Sequence, residues 1–363
     1  MGICRLFGAK MTIAIDCRMI DASGVGVYLR GCLPWFLQSG NELLLLGNAA
    51  RLNSFTANAN VTIIACNTKP FSIRELFFFP AETAKHINRA DVYFAPFFNI
   101  PRGITIPVYI TIHDIIFPDM PQLLSKTGLA VRMWFFRRAY QNSHKIFTVS
   151  QFSQSRIEHH LGKEKPVVVT HSAIQPMFLE YRANIRNAAK KETIIFIGNI
   201  KKHKGLDYLL DAFHQARDEG LPHQLIIIGS PENFRTADNA VMRKIAAIGA
   251  VSFTGFVSDE QLMEHLSTAA LLVQPSLYEG FCLPPLEAMV LGAHALISDI
   301  PVLKEVYADY PVTFFRAGDR DDLKEKMTAL LLNKSAPSPV LPEQLLSRYT
   351  FEKTSSIIMK ELQ

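Results

Sequence analysis

Short β-rich runs alternate with helical stretches along the whole chain, and the runs are uninterrupted rather than alternating in polarity. Such runs suit parallel strands buried on both faces, and helices between them make βαβ units. Seven runs occupy 12–15, 43–46, 61–64, 92–95, 108–112, 145–149 and 167–170; six more occupy 193–197, 224–228, 251–254, 271–274, 295–298 and 312–315. The pattern restarts near residue 193, after a polar stretch at 180–192. The expected fold is α/β, with two doubly wound, Rossmann-like domains: an N-terminal domain at 1–178, a linker at 179–191 and a C-terminal domain at 192–340. Residues 341–363 follow a Pro-rich stretch and read as a terminal helix that caps the second domain or packs back on the first. A central cleft at the carboxyl ends of both sheets is the expected binding site.

Composition narrows the function classes. At 363 residues, 48% hydrophobic and 20% charged, the chain fits two globular domains. No apolar run approaches the ~18 residues of a membrane span. A slightly positive mean hydropathy still allows contact with a membrane surface. The net charge of +5 hides an asymmetry. Residues 1–178 hold eighteen Lys and Arg against ten Asp and Glu, whereas 179–363 hold twenty against twenty-three. Both tryptophans and 16 of the 25 phenylalanines also lie in 1–178. A basic half suits an anionic membrane, a phosphorylated substrate or nucleic acid, and no nucleic-acid motif accompanies the charge. Cys4, Cys17, Cys32, Cys66 and Cys282 form no CxxC pair and read as reduced thiols in a cytosol. Residues 1–10 lack the apolar core of a secretory signal and read as an extension or a start-site error.

The strongest chemical signal is YEGFCLPPLEAMVLG at 278–292, directly after an apolar run. Pro284 and Pro285 suit a helix start, which puts Glu287 in its first turns and Glu279 on the loop before it. Gly280 allows close approach of a ligand to the backbone. Helix-start amides favour negative charge and carboxylates accept sugar hydroxyls, so this loop fits a ligand carrying both phosphate and polyol. The plainer reading is a surface loop with one capping Glu. The second signal is FIGNIKKHKGLDYLLDAF at 196–213. A strand ends at Gly198, a helix begins near Gly205, and Lys201, Lys202 and Lys204 lie between them, where a Lys can reach a diphosphate. A solvated basic loop is the alternative.

GNIKKHKG, followed at a distance by EGFCLPPLEAM, resembles the donor-binding domain of retaining glycosyltransferases of family 4, which have the GT-B fold. GVGVY at 24–28, ITIHDIIFPDMP at 110–121, FTVSQFSQSRI at 147–157 and FTGFVSDEQL at 253–262 fall in the family's order, so the resemblance covers nearly the whole chain. It is similar in particular to bacterial surface-polysaccharide enzymes that transfer mannose or rhamnose. The resemblance implies that Glu279 binds hydroxyls of the donor sugar, Glu287 the nucleotide ribose, and Lys204 the diphosphate, with Asn199 beside it. It also implies that Gly280, Phe281, Cys282 and Leu283 meet sugar and phosphates, that Phe256 and Val257 meet the base, and that Gly24 and Gly26 form a loop approaching the diphosphate. His113 would sit near the reacting centre and acceptor. Cys282 replaces a usual Gly, and His294 falls in a usual Gly-x-Pro-Val-Ile stretch; both departures bear on which sugar is taken.

Other signals are weaker. The GxG at Gly24–Gly26 lacks the acid that a dinucleotide site wants at the end of the second strand. His159 and His160 are adjacent on a helix and make no i,i+4 metal face. Two basic-aromatic segments, 71–80 and 129–141, read either as packed elements or as a membrane-facing surface.

The resemblance thus implies a metal-independent, retaining hexosyltransferase with no cofactor. Its donor is a nucleotide-diphosphate sugar, GDP-mannose first and dTDP-rhamnose or a UDP-hexose next. Its acceptor is a polysaccharide or lipid-linked oligosaccharide. The expected location is cytoplasmic, with peripheral contact to the inner face of an anionic membrane; nucleic acid is not an expected partner. The competing readings are a GT-B sugar-nucleotide epimerase or phosphorylase, and a non-catalytic two-domain sugar-binding protein.

Overall fold

A computed structural model of the chain describes residues 10–184, 189–229, 239–332 and 339–363. The chain divides into two units, one running to Ala173 and completed by Tyr349–Gln363, the other spanning Ile174–Arg348.

The first unit holds a parallel sheet of seven strands: β1 Thr12–Asp16, β2 Glu42–Gly47, β3 Val61–Ala65, β4 Val92–Ala95, β5 Val108–Thr111, β6 Lys145–Thr148 and β7 Val167–Val169, in the order β3-β2-β1-β4-β5-β6-β7. The second holds six: β8 Thr193–Ile197, β9 Gln224–Ile228, β10 Val251–Gly255, β11 Leu271–Gln274, β12 His294–Ser298 and β13 Thr313–Phe315, in the order β10-β9-β8-β11-β12-β13. Every pairing is parallel. The two doubly wound sheets expected from the sequence are therefore present. In each, strand order reverses beside the first strand of the unit, which in the second unit falls between β8 and β11. Central strands are buried on both faces; every residue of β4, β5 and β11 is buried, which is why these runs carry no polar alternation. Each fully buried Ile, Leu or Phe contributes roughly 1.5–3 kcal/mol.

Two expected boundaries are corrected. The linker does not start at 179, because Pro176–Asn184 is a helix that begins on Pro176 and buries Phe178, and the second unit starts at Ile174. The terminal segment 341–363 is split. Leu341 is buried and Leu345 accepts a hydrogen bond from Tyr310 Oη (2.9 Å), which ties this stretch to the second unit. Helix Phe351–Leu362 packs instead on helix Gly24–Leu37 of the first unit. Thr350 caps it, Thr354 Oγ1 donates to the Thr170 carbonyl (3.0 Å), and Lys145 pairs with Glu361. The Phe351 ring lies so close to Gly31 that a Cβ there would stand 2.3 Å from it.

A buried ion network closes the carboxyl end of β1. Arg18 lies between Asp16 (Nη2 to Oδ2, 2.5 Å) and Glu75 (Nη2 to Oε1, 2.6 Å), with all three side chains at most 2% exposed. Tyr93 Oη donates to Asp16 (2.5 Å), the Phe71 amide donates to Glu75 (2.7 Å), and Asn99 Nδ2 donates to Glu75 as well. Burial pushes the Glu75 carboxyl up despite the facing guanidinium. Two acids and one base leave the network net negative, so its stability depends on Arg18.

Candidate active site

Of the residues singled out in the second unit, Lys204 and Glu279 meet where the sheet order reverses, between β8 and β11. After β8, the chain makes a single 3-10 turn at Lys202–Lys204 and enters helix Leu206–Asp218 through Gly205. Gly205 has φ +69°, and a Cβ on it would stand 1.9 Å from the Pro275 carbonyl oxygen. Only glycine lets the loop after β8 touch the loop after β11 here. The Leu277 amide adds a hydrogen bond to the His203 carbonyl (2.7 Å). The two loops are thus fastened together, and Lys204 meets Glu279 with Nζ 2.8 Å from both carboxylate oxygens.

Polar contacts beneath this pair hold it in place. Ser276 Oγ donates to Glu279 Oε1 (2.6 Å), Gln274 Nε2 donates to Ser276 Oγ (3.0 Å), and Ser298 Oγ donates to the Ser276 carbonyl. Glu279 is buried, which by itself raises its pKa, but the Lys204 ammonium and the hydrogen bonds from Lys204 and Ser276 outweigh burial and hold it below the usual range. Glu279 is therefore a carboxylate at neutral pH. His203 is pushed down to about 4 by burial and by Lys204, so it is neutral there. Ser276 and Gln274 were not singled out from the sequence. Their signal was available: a polar Gln-Pro-Ser triplet closing an otherwise apolar buried run.

Glu287 lies in the first turn of helix Pro284–Val290, which opens on two prolines. It is buried, and burial together with the charge of Asp259 pushes it up to about 7. Gly280 and Phe281 are buried in the intervening loop, while Cys282 and Leu283 are half-buried. Cys282 has φ +76°, a left-handed conformation that costs a non-glycine residue about 1–2 kcal/mol. Its thiol is hydrogen-bonded to Glu279, and its carbonyl accepts from Tyr307 Oη. Asn199 lies half-buried just past β8. Phe256, just past β10, is 93% exposed, and Val257 follows it half-buried before Ser258 caps the next helix.

Three expected residues lie in the first unit. Gly24 and Gly26 do not form a loop: they are in the first turn of helix Gly24–Leu37. A Cβ on Gly26 would meet the Ile20 carbonyl at 2.4 Å, so close packing alone demands glycine there. This helix has no acid in its first turn, and the Ser23 side chain makes no capping hydrogen bond. His113 follows β5. Its Nε2 donates to the Pro96 carbonyl (2.9 Å), its ring meets Tyr28 edge-on at 4.9 Å, and burial lowers its pKa. The neutral tautomer written this way keeps Nδ1 as an acceptor. Ser153 Oγ binds the His113 carbonyl (3.2 Å), and the same helix holds Asp119 through Arg156 and through His160 Nε2 (2.6 Å). This helix buries only Ser153 and Ile157, and on its outer side the His160 ring is committed to Asp119. Among the described residues, no three His, Cys, Asp or Glu side chains converge as a metal site needs.

Comparison with known proteins agrees with this geometry. Residues 22–177 match the model described as Glycosyltransferase Family 4, and residues 177–341 match Glycosyl transferases group 1. The chain is 23% identical over 236 residues to the uncharacterized glycosyltransferase MJ1178 of Methanocaldococcus jannaschii, covering 65% of this chain and 61% of that protein. It is 26% identical over 236 residues to O-antigen chain mannosyltransferase B of Escherichia coli, covering 60% of this chain and 59% of that protein. The matched stretch thus spans about three fifths of the length of these relatives. Among solved structures, HepE (Alr3699) of Anabaena in complex with UDP and glucose superposes with a TM-score of 0.71 at 16% identity, over 97% of this chain and 99% of that one.

Proposed function

The chain belongs to the glycosyltransferases of the GT-B fold, and from that premise we propose that it moves a hexose, with retention and without a metal, from a nucleotide-diphosphate sugar to a polysaccharide or lipid-linked oligosaccharide. Mannose from GDP-mannose is the favoured donor reading, supported by the O-antigen mannosyltransferase among its relatives; dTDP-rhamnose and UDP-hexoses follow. The single observation that carries the reading is the Lys204–Glu279 pair, half-buried at the ammonium and buried at the carboxylate, where the sheet order reverses. An ammonium there faces a leaving diphosphate, and a carboxylate there receives sugar hydroxyls.

The chemistry divides among residues as follows. Cleavage of the bond from the anomeric carbon to the diphosphate leaves its electron pair on the phosphate oxygen, where Lys204 and the backbone of Gly280–Leu283 stabilise the charge. Glu279 holds the sugar and favours the positive character that develops on its ring. The acceptor oxygen attacks on the face the leaving group vacates, and its proton passes to the departing phosphate oxygen. Exposed Phe256 offers an aromatic face to the base, and Asn199 a polar contact beside Lys204. To the N-terminus of helix Gly24–Leu37 we assign diphosphate contact, and to His113 the acceptor side, through Nδ1. We place the enzyme in the cytoplasm at the inner membrane face, where a lipid-linked acceptor is presented; among the described residues, no helix is long and apolar enough to cross a membrane.

A panel of sugar nucleotides tests the donor assignment. One sugar nucleotide should raise the melting temperature and be slowly hydrolysed. At a hundredfold excess over Kd the stabilisation is about 2.7 kcal/mol. A panel in which none stabilises or is hydrolysed would sink the assignment.

Glu287 gives a pH signature. As a ribose acceptor it must be ionised, so donor affinity should rise as pH increases through about 7. Stability should move oppositely. A carboxyl whose folded pKa is raised binds its proton more tightly when folded, so its contribution is full below the unfolded value and is lost as pH rises through about 7. Glu287→Gln should flatten both profiles; unchanged profiles in that variant would remove Glu287 from the site.

A further inference from the structure

We propose that Arg132 is the anion-binding centre of an acceptor subsite in the first unit, and that the acceptor therefore carries an oxyanion: a sugar-linked phosphate or diphosphate, or a sugar carboxylate. The proposal rests on the acceptor-side reading of His113 and adds to it the chemical class of the acceptor. Arg132 is half-buried on helix Lys126–Asn142. Its guanidinium stands 4.9 Å from the Phe117 ring centroid and 5.9 Å from that of Phe71. Among the described residues it makes no hydrogen bond and no ion pair, so the N–H donors of its fork are open to a ligand.

Other arginines of the first unit are spent on protein. Arg138 Nη1 donates to the Ile100 carbonyl (2.8 Å), and Arg156 grips Asp119 through Nε (2.9 Å) and Nη2 (2.5 Å). Burial pushes the Arg132 pKa down against the charge of Asp114, yet a guanidinium stays charged at neutral pH. A half-buried charge without a hydrogen-bonded partner is costly, and two ring faces offset only part of that cost. An oxyanion recovers the rest. Because the rings already fix the planar fork, little side-chain freedom is lost when the anion arrives.

Segments leaving the carboxyl ends of three strands build the cradle: Phe71 follows β3, Phe98 follows β4 and Phe117 follows β5. The Phe71 ring lies 4.9 Å from Phe98 and 5.8 Å from Phe135. Phe71 has φ +60°, a conformation that a bulky residue adopts only under constraint, and the hydrogen bond from its amide to Glu75 (2.7 Å) supplies that constraint. All four rings are half-buried, which leaves aromatic surface for the apolar face of a sugar. The segment after β5 also carries His113, four residues before Phe117, so their Cα atoms are at most about 14 Å apart even with the chain fully extended. Asp114 acts electrostatically on both His113 and Arg132. A hydroxyl at His113 and an anion on Arg132 can therefore belong to one acceptor molecule.

The test is direct binding to the full chain, read without turnover. In the unaltered protein, phenylglyoxal should modify Arg132, as mapped by mass spectrometry. Inorganic pyrophosphate or methyl glucuronide should protect it, and neutral methyl mannoside should not. The two anions separate the sources: protection by pyrophosphate alone identifies a phosphate-bearing acceptor, by the glucuronide alone a carboxylate-bearing one, and by both the shared oxyanion chemistry. In calorimetry, Arg132→Gln should weaken the protecting anion on the order of tenfold or more, the loss of a charge-assisted pair, and Arg132→Lys, which keeps the charge without the fork, should weaken it less. Lys204→Met should leave this binding unchanged, which separates it from pyrophosphate held at the donor pair. Failure to label Arg132, no protection by either anion, equal protection by methyl mannoside, or wild-type affinity in Arg132→Gln would overturn the proposal. A protein that takes no sugar nucleotide yet keeps Arg132-dependent anion binding would overturn the donor reading and leave the oxyanion site standing.

Discussion

Glu279→Gln should fold normally and lose about 10²–10³-fold in kcat, equivalent to about 2.7–4 kcal/mol of transition-state stabilisation. The amide keeps the size of the side chain and can still accept from Ser276 Oγ, which lies 2.6 Å from the carboxylate. What it removes is the negative charge beside the reacting sugar and the countercharge that fixes Lys204 at 2.8 Å. Lys204→Met should do comparable damage from the other side, since the diphosphate then leaves without its ammonium. The two residues form one ion pair, so the double variant should be little worse than either single one; a cycle on kcat reads this non-additivity. Near-normal kinetics in a folded Glu279→Gln protein would remove the pair from the chemistry.

Arg18→Ala should destabilise the first unit by about 3–5 kcal/mol, the size expected when one partner is taken from a buried ion network. Asp16 and Glu75 would be left facing each other in the core without a cation, and the Thr68 carbonyl would lose its donor, Arg18 Nη1 at 3.1 Å. Restoring neutrality should recover much of the loss, so Arg18→Met with Asp16→Asn and Glu75→Gln is expected to be more stable than Arg18→Ala alone. Tryptophan fluorescence during urea unfolding is a clean probe, because Trp35 and Trp134 are the chain's two tryptophans and both lie in the first unit. A midpoint equal to wild type would show that the network is not structural.

The strands were legible because a parallel strand covered on both faces needs an unbroken apolar run, as at Leu271–Gln274. Lys204 and Glu279 were legible because each follows such a run directly on a glycine-bearing loop. What the sequence hid was long-range or locally ambiguous. Arg18 and Glu75 are 57 positions apart, and neither has a local pattern that names the other. Gly24 and Gly26 read as a loop only through the family resemblance; the structure puts both in a helix whose start lies so close to the Ile20 carbonyl that Gly26 has no room for a Cβ. The polar run after Phe178 read as a linker since only one of its helix-forming residues is buried. The division of the terminal segment at Arg348 follows contacts of Leu345 and Phe351 that no spacing rule encodes.

Helix Phe351–Leu362 completes the first unit from the far end of the chain, and that has a consequence for synthesis on the ribosome. The face of helix Gly24–Leu37 around Gly31 stays uncovered until all of Ile174–Arg348 has been made. At roughly 5–20 residues per second, the wait is on the order of ten seconds or more. During that time the nascent first unit presents Cys32 and its neighbours to solvent and to chaperones, and helix Phe351–Leu362, made after the whole second unit, ends that exposure.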